Sequence, residues 1–354
     1  MKEDVFFIPV EDGENDEAIC QKLEKAIMGN DWLAFVKERD LVAIKTHFGE
    51  ENTQGYVRPL NLAMLAGLVR NKRAQPFLTD TATLYSGLRA NAIGHIELAE
   101  RHGFGYASTR TPLIMADGLT GDEEIDVVIP GRLYTKVKIA SLIVKAQSLL
   151  VVSHFTGHVV SGFGAALKNM GMGCSSRRGK LAQHSTATPS IKKKNCTACG
   201  ACLLWCPAQA ITMPEQVARI DKKKCIGCAE CLTVCRFDAI GYNWSATYEQ
   251  LQQKVVEHAW GVALNKKGKA IYINFLNRIS KDCDCMGGYN KISPDIGVLV
   301  AFDPVAIDAA SLDLVEQKTG QALSRLSYDI PYRVQIDYAR LIGFGNPDYR
   351  LVEI

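Results

Sequence analysis

The feature that most constrains this 354-residue chain is that eight of its twelve cysteines fall within forty residues. The eight form two halves with the same spacing, C-x2-C-x2-C-x3-C, offset by 29 residues. The first half consists of Cys196, Cys199, Cys202 and Cys206, and the second of Cys225, Cys228, Cys231 and Cys235. Three thiolates on one tight loop can reach three corners of an iron–sulfur cube, so the spacing predicts a duplicated iron–sulfur module.

This duplicated spacing resembles the bacterial two-cluster ferredoxins over about fifty residues. In that family the fourth cysteine of each motif binds the opposite cluster. The resemblance therefore implies two [4Fe–4S] clusters with interleaved ligands. The first would be held by Cys196, Cys199, Cys202 and Cys235, and the second by Cys225, Cys228, Cys231 and Cys206. The proline that follows the fourth cysteine is kept as Pro207 in the first half, whereas the second half has Arg236.

Zinc is the alternative metal, because C-x2-C pairs also bind zinc. Zinc takes four ligands per site, and the evenly spaced third cysteine and the duplicated C-x3-C fit that pattern poorly. The residues leave open whether the clusters transfer electrons or only hold the fold, although two clusters in one small module favour transfer. Lysine runs precede both motifs, at 192–194 and 222–224. They either compensate the negative clusters or form a docking patch for an acidic redox partner.

Outside the cysteine region, short apolar runs alternate with segments of helical spacing, which predicts an α/β fold with a largely parallel sheet. The predicted strands are Val5–Val10, Leu41–Thr46, Pro76–Leu78, Val127–Ile129, Leu149–Ser153, Ala270–Phe275 and Ile296–Phe302. One predicted helix carries the apolar residues Ile19, Leu23 and Ile27. The other predicted helices are Leu60–Leu68, Tyr248–Ala263 and Ala306–Leu314.

The strand–helix alternation is interrupted once, after a stretch rich in Ser, Thr and Pro that is typical of a linker. We therefore expect a discontinuous α/β domain of residues 1–189 and 245–354. A small ferredoxin-like α+β iron–sulfur domain of residues 190–244 would interrupt it.

Several phrases of the α/β part resemble the domain-of-unknown-function family 362, whose members often carry a ferredoxin insert. They are the residues 45–50 (KTHFGE), 80–85 (DTATLY), 153–176, 283–285 (CDC) and 301–308 (AFDPVAID). The resemblance covers nearly the whole chain. It implies no particular activity, because the family name records none.

A polar cluster follows the apolar strand at 149–153 and is expected at the ligand crevice of the sheet. Its chemistry-bearing residues include His158, Lys168 and His184. These three are similar in order and spacing to the nickel-pincer lactate racemases, in which a lysine carries the cofactor. That similarity implies a related fold and makes the three residues the candidate catalytic set. A dinucleotide site is not expected, since Gly162-x-Gly164 lacks the third glycine of that motif.

The four remaining cysteines are Cys20, Cys174, Cys283 and Cys285. Cys20 lies on an amphipathic helical face and is expected in the core. Cys283 and Cys285, two residues apart, can face one metal ion, with Cys174 and His154 as further candidate ligands. Two alternatives remain for the pair, namely reduced thiols in a polar cleft and a redox disulfide.

Composition excludes several functional classes. The net charge of +3 is too small and scattered to indicate nucleic-acid binding. No apolar run reaches the roughly 18–20 residues that span a bilayer, and the start of the chain is not a signal peptide. Twelve cysteines without such a signal indicate metal or redox chemistry in a reducing compartment. We therefore expect a cytoplasmic protein in an anaerobic setting.

These observations favour an iron–sulfur oxidoreductase that passes electrons between an external redox partner and a small-molecule substrate or metal site in the α/β domain. One alternative is a non-enzymatic electron-transfer subunit that docks to a larger redox complex. The other is a racemase-like or isomerase-like enzyme in which the clusters are structural.

Overall fold

The computed structural model describes residues 2–85, 87–184, 189–206, 209–225, 231, 234–241 and 248–354. Its strands are β1 (Glu3–Pro9), β2 (Leu41–Lys45), β3 (Gln75–Thr79), β4 (Glu124–Val128), β5 (Lys136–Ala140), β6 (Ser148–His154), β7 (Thr156–His158), β8 (Gly162–Gly164), β9 (Ser190–Ile191), β10 (Ile211–Thr212), β11 (Arg219–Ile220), β12 (Ile240–Gly241), β13 (Ala270–Leu276), β14 (Gly297–Ala301) and β15 (Tyr349–Glu353).

The helices of these residues fall mainly between the strands. They are α1 (Asp16–Gly29), α2 (Pro59–Asn71), α3 (Ala92–Arg101), α4 (Tyr106–Thr109), α5 (Ser141–Lys145), α6 (Ala166–Gly171), α7 (Arg177–His184), α8 (Ala201–Leu204), α9 (Tyr248–Asn265), α10 (Pro304–Thr319), α11 (Leu323–Leu326) and α12 (Val334–Ile342). Short 3-10 turns lie at Leu88–Ala90, Lys193–Asn195 and Pro214–Gln216.

Seven strands form one central sheet in the order β15-β1-β14-β13-β6-β2-β3. Strand β14 runs antiparallel to both of its neighbours, whereas the other neighbouring pairs are parallel. The predicted α/β fold with a largely parallel sheet is therefore confirmed.

Helices cover both faces of the sheet, which explains why its central strands read as continuous apolar runs. Along β6, Leu149 and Val151 belong to one hydrophobic core, and Leu150 and Val152 belong to the other. Successive side chains of a strand point to opposite faces, so each run supplies both cores. Helices α6, α9, α10 and α12 pack on one face, and α1, α2 and α3 pack on the other.

Each predicted strand and helix of the α/β part coincides with an observed element. The run Val127–Ile129 overlaps β4, which lies outside the central sheet and pairs with β5 in a separate hairpin. The apolar content of this run predicts a strand, but it does not show which other strand β4 pairs with.

The motif AFDPVAID begins helix α10. The carboxylate of Asp303 accepts hydrogen bonds from the backbone N–H groups of Val305 and Ala306, at 2.7 and 2.9 Å. Pro304 occupies the first helical position, where its missing N–H costs nothing. This cap fixes the start of α10 beside the sheet.

The cysteine-rich segment forms two small antiparallel pairs, β9 with β12 and β10 with β11. Ile191 of β9 and Ile220 of β11 are 29 residues apart, as are Ile211 of β10 and Ile240 of β12. The 29-residue repeat of the cysteine motif is therefore also present in the positions of the strands. A separate apolar cluster joins the two halves, and its buried members are Cys202, Ile211, Ala218, Cys231 and Ile240. The predicted domain boundary at 244/245 lies outside the described residues.

None of the helices in the described ranges is both long and apolar enough to cross a membrane.

Candidate functional site

One deep cavity lies where the carboxyl ends of parallel strands meet. Lys45 is the last residue of β2, Asp80 directly follows β3, and His154 is the last residue of β6. Parallel strands end at the same edge of a sheet, which is the usual ligand crevice of this architecture. The loop after β13 adds Cys283, Asp284 and Cys285 to the wall.

The cavity has a volume of about 280 Å³, close to the lower limit for small-molecule sites. Its titratable and nucleophilic wall residues are Lys45, His47, Asp80, Tyr85, Arg89, His154, His158, Lys168, Lys180, His184, Cys283, Asp284 and Cys285. Among the described wall residues, four lysine and arginine side chains stand against two carboxylates. This excess of positive charge suits an anionic ligand.

A buried ion-pair network forms one wall. The carboxylate of Asp80 contacts Lys45 Nζ at 2.9 Å and Arg89 Nη2 at 3.1 Å, and all three side chains are at most 4 % exposed. Burial alone would raise the pKa of Asp80, but the Lys45 and Arg89 cations outweigh burial and hold that pKa well below its usual range. Lys45 Nζ also donates to Asn169 Oδ1 at 2.5 Å, which ties this network to α6.

Helix α6 is anchored by Asp308 of α10. The carboxylate of Asp308 accepts the backbone N–H groups of Ala166 and Leu167, at 2.9 and 2.8 Å, and the amide of Asn274 at 2.8 Å. Burial raises the pKa of Asp308 to about 7. Because α6 is short, this cap sets the position of the side chains that α6 presents to the cavity.

Lys168 is carried by α6 into the cavity. Its side chain is half-buried, and no acceptor among the described residues lies within hydrogen-bond distance of its ammonium group. Burial, followed by the charge of Arg89, lowers the pKa of Lys168 to about 8. A cation that lacks a protein partner in a cavity is available to an anionic ligand.

His158 is held in a defined tautomer. Its Nδ1 accepts the backbone N–H groups of Val160 and Ser161, at 3.0 and 2.9 Å. Burial first, and then Lys168, hold the pKa of His158 well below its ordinary value. The ring is therefore neutral, and its single proton lies on Nε2.

His158 lies close to the cysteine pair. One ring nitrogen of His158 and the sulfurs of Cys283 and Cys285 all lie within 4.8 Å of one another, a spacing that a metal ion can bridge. Histidines that bind metals usually donate a hydrogen bond from their other ring nitrogen. Here that other nitrogen accepts two, so the arrangement suits an N–H donor better than a ligand.

The predicted extra metal site is brought together only in part. Cys283 and Cys285 line the cavity and form a disulfide, with Cα atoms 5.3 Å apart. His154 lines the cavity as well, but both of its ring nitrogens contact protein, with Nδ1 near the Asp284 carboxylate and Nε2 near the Asn277 carbonyl. Cys174 is buried in the core and is not a wall residue.

The three candidate catalytic residues meet in this cavity, since His158, Lys168 and His184 all line it. Burial and then Lys168 lower the pKa of His184 to about 4. Their catalytic role stays a prediction.

Several residues that shape the site were not predicted from the sequence as site residues, namely Lys45, Arg89, Asn274 and Asp308. The phrases KTHFGE and AFDPVAID contained Lys45 and Asp308. Buried charges at strand and helix ends were the available signal. Arg89 and Asn274 lie on elements whose placement depends on the tertiary fold.

A second, small cavity lies in the cysteine-rich segment. Its walls include Cys196, Cys199 and Cys202 of the first repeat together with Cys235 of the second. Burial, and then the neighbouring Cys199, raise the pKa of Cys202. Of the other predicted cluster ligands, Cys206, Cys225 and Cys231 are described, whereas Cys228 and the adjacent Pro207 lie outside the described residues.

Comparison with known proteins gives a family and two distant structures. A family model described as "Domain of unknown function (DUF362)" matches residues 42–313. No curated protein matches the chain. A lactate racemase apoprotein from Thermoanaerobacterium thermosaccharolyticum is 12 % identical with a TM-score of 0.35, covering 64 % of this chain and 48 % of its own. A Thermotoga maritima protein is 13 % identical with a TM-score of 0.41, covering 88 % and 61 %.

The chain thus spans about half to three fifths of the length of these two structures. No function is inferred from either likeness. The correspondence of His158, Lys168 and His184 with racemase residues stays a prediction.

The ion-pair network predicts a stability effect. Asp80→Asn leaves Lys45 buried without its counter-charge and leaves Arg89 with only the Glu50 carboxylate at 3.6 Å. We therefore expect a loss of about 3–5 kcal/mol in the free energy of unfolding. Urea denaturation of wild type and variant measures this difference in the free energy of unfolding. The matched control is Asp126→Asn, which breaks an exposed pair with Lys136 and is expected to cost under about 1 kcal/mol. Equal effects of the two variants would show that Asp80 is not the anchor of the site.

The environment of Lys168 predicts its reactivity. Only the neutral amine is acylated, so acetic anhydride labelling of Lys168 in the folded protein should reach half its maximal rate near pH 8. The same lysine in the urea-unfolded chain should reach it near pH 10.4. Peptide mass spectrometry resolves the site. Coincident profiles in the two states would contradict a buried, unpaired ammonium group.

Proposed function

The chain belongs to the family of domain of unknown function 362, and we propose that it is an iron–sulfur protein that exchanges electrons with a site in the α/β cavity. Two [4Fe–4S] clusters would lie in residues 190–244, with the interleaved ligands given above. The observation that carries the proposal is the cavity formed by Cys196, Cys199, Cys202 and Cys235, which come from both repeats.

The residues around this small cavity fit an iron–sulfur cluster. Four thiols face one enclosed space whose other walls include the apolar Met213, Phe237 and Ile240. Burial and the neighbouring Cys199 raise the pKa of Cys202, and the positive charge of a bound metal would favour its thiolate form. A closed zinc site also uses four thiolates, but zinc does not account for the duplicated motif and the exchanged fourth cysteine.

Backbone hydrogen bonds to sulfur repeat in both halves. The N–H of Ala210 donates to Cys206 Sγ at 3.2 Å, and the N–H of Ala239, 29 residues later, donates to Cys235 Sγ at 3.4 Å. The N–H of Ala218 donates to Cys196 Sγ at 3.4 Å. Such bonds stabilise ligating thiolates and tune the reduction potential of a cluster.

The chain tethers the cysteine-rich segment to the large cavity. His184, the last residue of α7, and Leu251, in the first turn of α9, both line that cavity. They flank the segment on its two sides. The six residues between His184 and Ile191 span at most about 25 Å when fully extended. Ile191, at the start of the segment, therefore lies within about 25 Å of a wall residue of the cavity, and this limit supports the proposed electron transfer between the two.

The charges of the cavity wall favour a small anionic substrate. Its positive charge and the unpaired Lys168 provide a binding group for a carboxylate or phosphate. A neutral His158 beside it provides an N–H donor. These residues would bind and orient the substrate, while the clusters supply one-electron chemistry when bound.

An acidic redox partner fits the exposed surface of the segment. Residues 190–244 contain eight basic and four acidic side chains, a formal charge of +4, which balances about −4 from two oxidised clusters and their thiolates. The lysines at 193–194 and 222–224 are exposed. Leu204 and Trp205, next to Cys206, are 87 % and 52 % exposed, and together they offer an apolar contact framed by positive charge.

The interleaved ligand sets predict a distinctive pattern of iron loss. Cys196→Ser/Cys235→Ser removes two ligands from one cluster and should leave about four iron atoms and one uncoupled EPR signal. Cys196→Ser/Cys206→Ser removes one ligand from each cluster, so both signals should be altered. The control Cys20→Ser changes a buried cysteine outside the segment and should keep about eight iron atoms. If both double variants lose the same single signal, the interleaving is wrong.

The lysine runs predict the salt dependence of partner encounter. The triple change Lys222→Glu/Lys223→Glu/Lys224→Glu should slow reduction by the acidic carrier flavodoxin about tenfold or more at low salt. The difference should shrink at high salt because ions screen exposed charges. Stopped-flow kinetics measures it.

The matched control for this test is Lys25→Glu/Lys37→Glu/Lys267→Glu, which makes the same charge change on exposed lysines of the α/β part. An equal slowing of both variants would show that only net charge matters and would remove the case for a docking patch.

A further inference from the structure

The loop after β13 places a disulfide in the cavity. Cys283 and Cys285 are joined there, and their Cα separation of 5.3 Å lies within the usual range for a disulfide. Both line the cavity together with Lys168 and His158. A disulfide that faces a ligand site, instead of joining distant segments, contributes little to the fold, because it closes a very short loop.

The loop is fixed by contacts that do not involve sulfur. The carbonyl of Asp284 accepts the backbone N–H of Glu50 at 2.9 Å, and the Asp284 carboxylate lies 3.0 Å from His154 Nδ1. The carbonyl of Cys283 accepts the N–H of Met286 at 2.9 Å. Opening the sulfur–sulfur bond therefore leaves the loop anchored, and both sulfurs stay in the cavity.

A hydrogen-bond donor, His158, lies beside the two sulfurs. His158 lies within 4.8 Å of both, and its Nδ1 is occupied by the N–H groups of Val160 and Ser161. The remaining nitrogen, Nε2, carries the proton. From there the N–H can donate a hydrogen bond towards a sulfur, directly or through one water molecule.

We propose that Cys283 and Cys285 are a redox-active dithiol/disulfide pair that receives electrons from the cysteine-rich segment and stores them as a pair in the cavity. This inference rests on the proposed electron transfer. It deepens that function by naming the acceptor inside the α/β domain.

The proposed step is the two-electron reduction of the disulfide. The disulfide gains two electrons and two protons, the sulfur–sulfur bond breaks, and two thiols form. An external low-potential one-electron carrier supplies the electrons one at a time through the segment. Both protons come from solvent, while the neutral His158 donates its Nε2–H as a hydrogen bond to the sulfur on which negative charge develops. The two proposed clusters, each carrying one electron, can together supply the two electrons that the disulfide takes up.

The test uses the full-length protein under anaerobic conditions. Reduced methyl viologen is added, the reaction is stopped with acid, and free thiols are alkylated with iodoacetamide. Mass spectrometry then follows the peptide that contains Cys283 and Cys285. Wild type is compared with Cys196→Ser/Cys235→Ser, and iron is measured in the same samples.

We expect both thiols to become alkylated in wild type and to do so at least tenfold more slowly in the variant. A phosphine reductant, which attacks the disulfide directly, should reduce both proteins equally and thereby shows that the variant is folded alike at this loop. His158→Leu should slow viologen-driven reduction about tenfold or more because the developing thiolate loses a hydrogen bond, and His158→Gln, which keeps an N–H donor, should restore most of the rate.

Three results would overturn the inference. They are thiols that are free before reduction, zinc bound to the pair, or equal rates of viologen-driven reduction in wild type and the variant. If wild type holds about eight iron atoms in any of these cases, only the inference fails. If it holds no iron, the proposed function fails first.

Discussion

The cavity depends on one buried carboxylate. Asp80 binds Lys45 at the end of β2 and Arg89 from the segment after β3, and Lys45 in turn binds Asn169 on α6. Removing Asp80 leaves the buried Lys45 ammonium group without a counter-charge, which is far more costly than the loss of an exposed pair. This network therefore fixes the ends of two strands relative to the helix that carries Lys168.

The same network sets the electrostatics of the site. Because Asp80 is shared between Lys45 and Arg89, Lys168 has no acid partner among the described residues, and burial lowers its pKa to about 8. Around it stand a neutral His158 and the Cys283–Cys285 pair. An anion bound at Lys168 would thus share the cavity with the N–H group of His158 and this sulfur pair.

Much of the fold could be predicted from sequence, because buried strands such as Leu149–Ser153 carry an apolar run that few other elements allow. The resemblance to two-cluster ferredoxins implied interleaved ligands, and these ligand sets stay a prediction; Cys196 and Cys235 line one small cavity. Sequence could not reveal that Cys174 lies in the core or that both nitrogens of His154 contact protein. Those facts depend on which side chain faces the crevice, and spacing alone does not fix that. Arg89 was missed because nothing in the sequence shows that the turn at Leu88–Ala90 brings its guanidinium to 3.1 Å from Asp80, nine residues earlier.

The most direct test of the central claim is iron, zinc and acid-labile sulfide analysis of anaerobically purified wild-type protein, combined with low-temperature EPR after full reduction. Two [4Fe–4S] clusters would give about eight iron and eight sulfide per chain, with the signals of two coupled spins. About two zinc ions per chain, without sulfide and without an EPR signal, would contradict the central claim. The cysteine-rich segment would then be a structural zinc module.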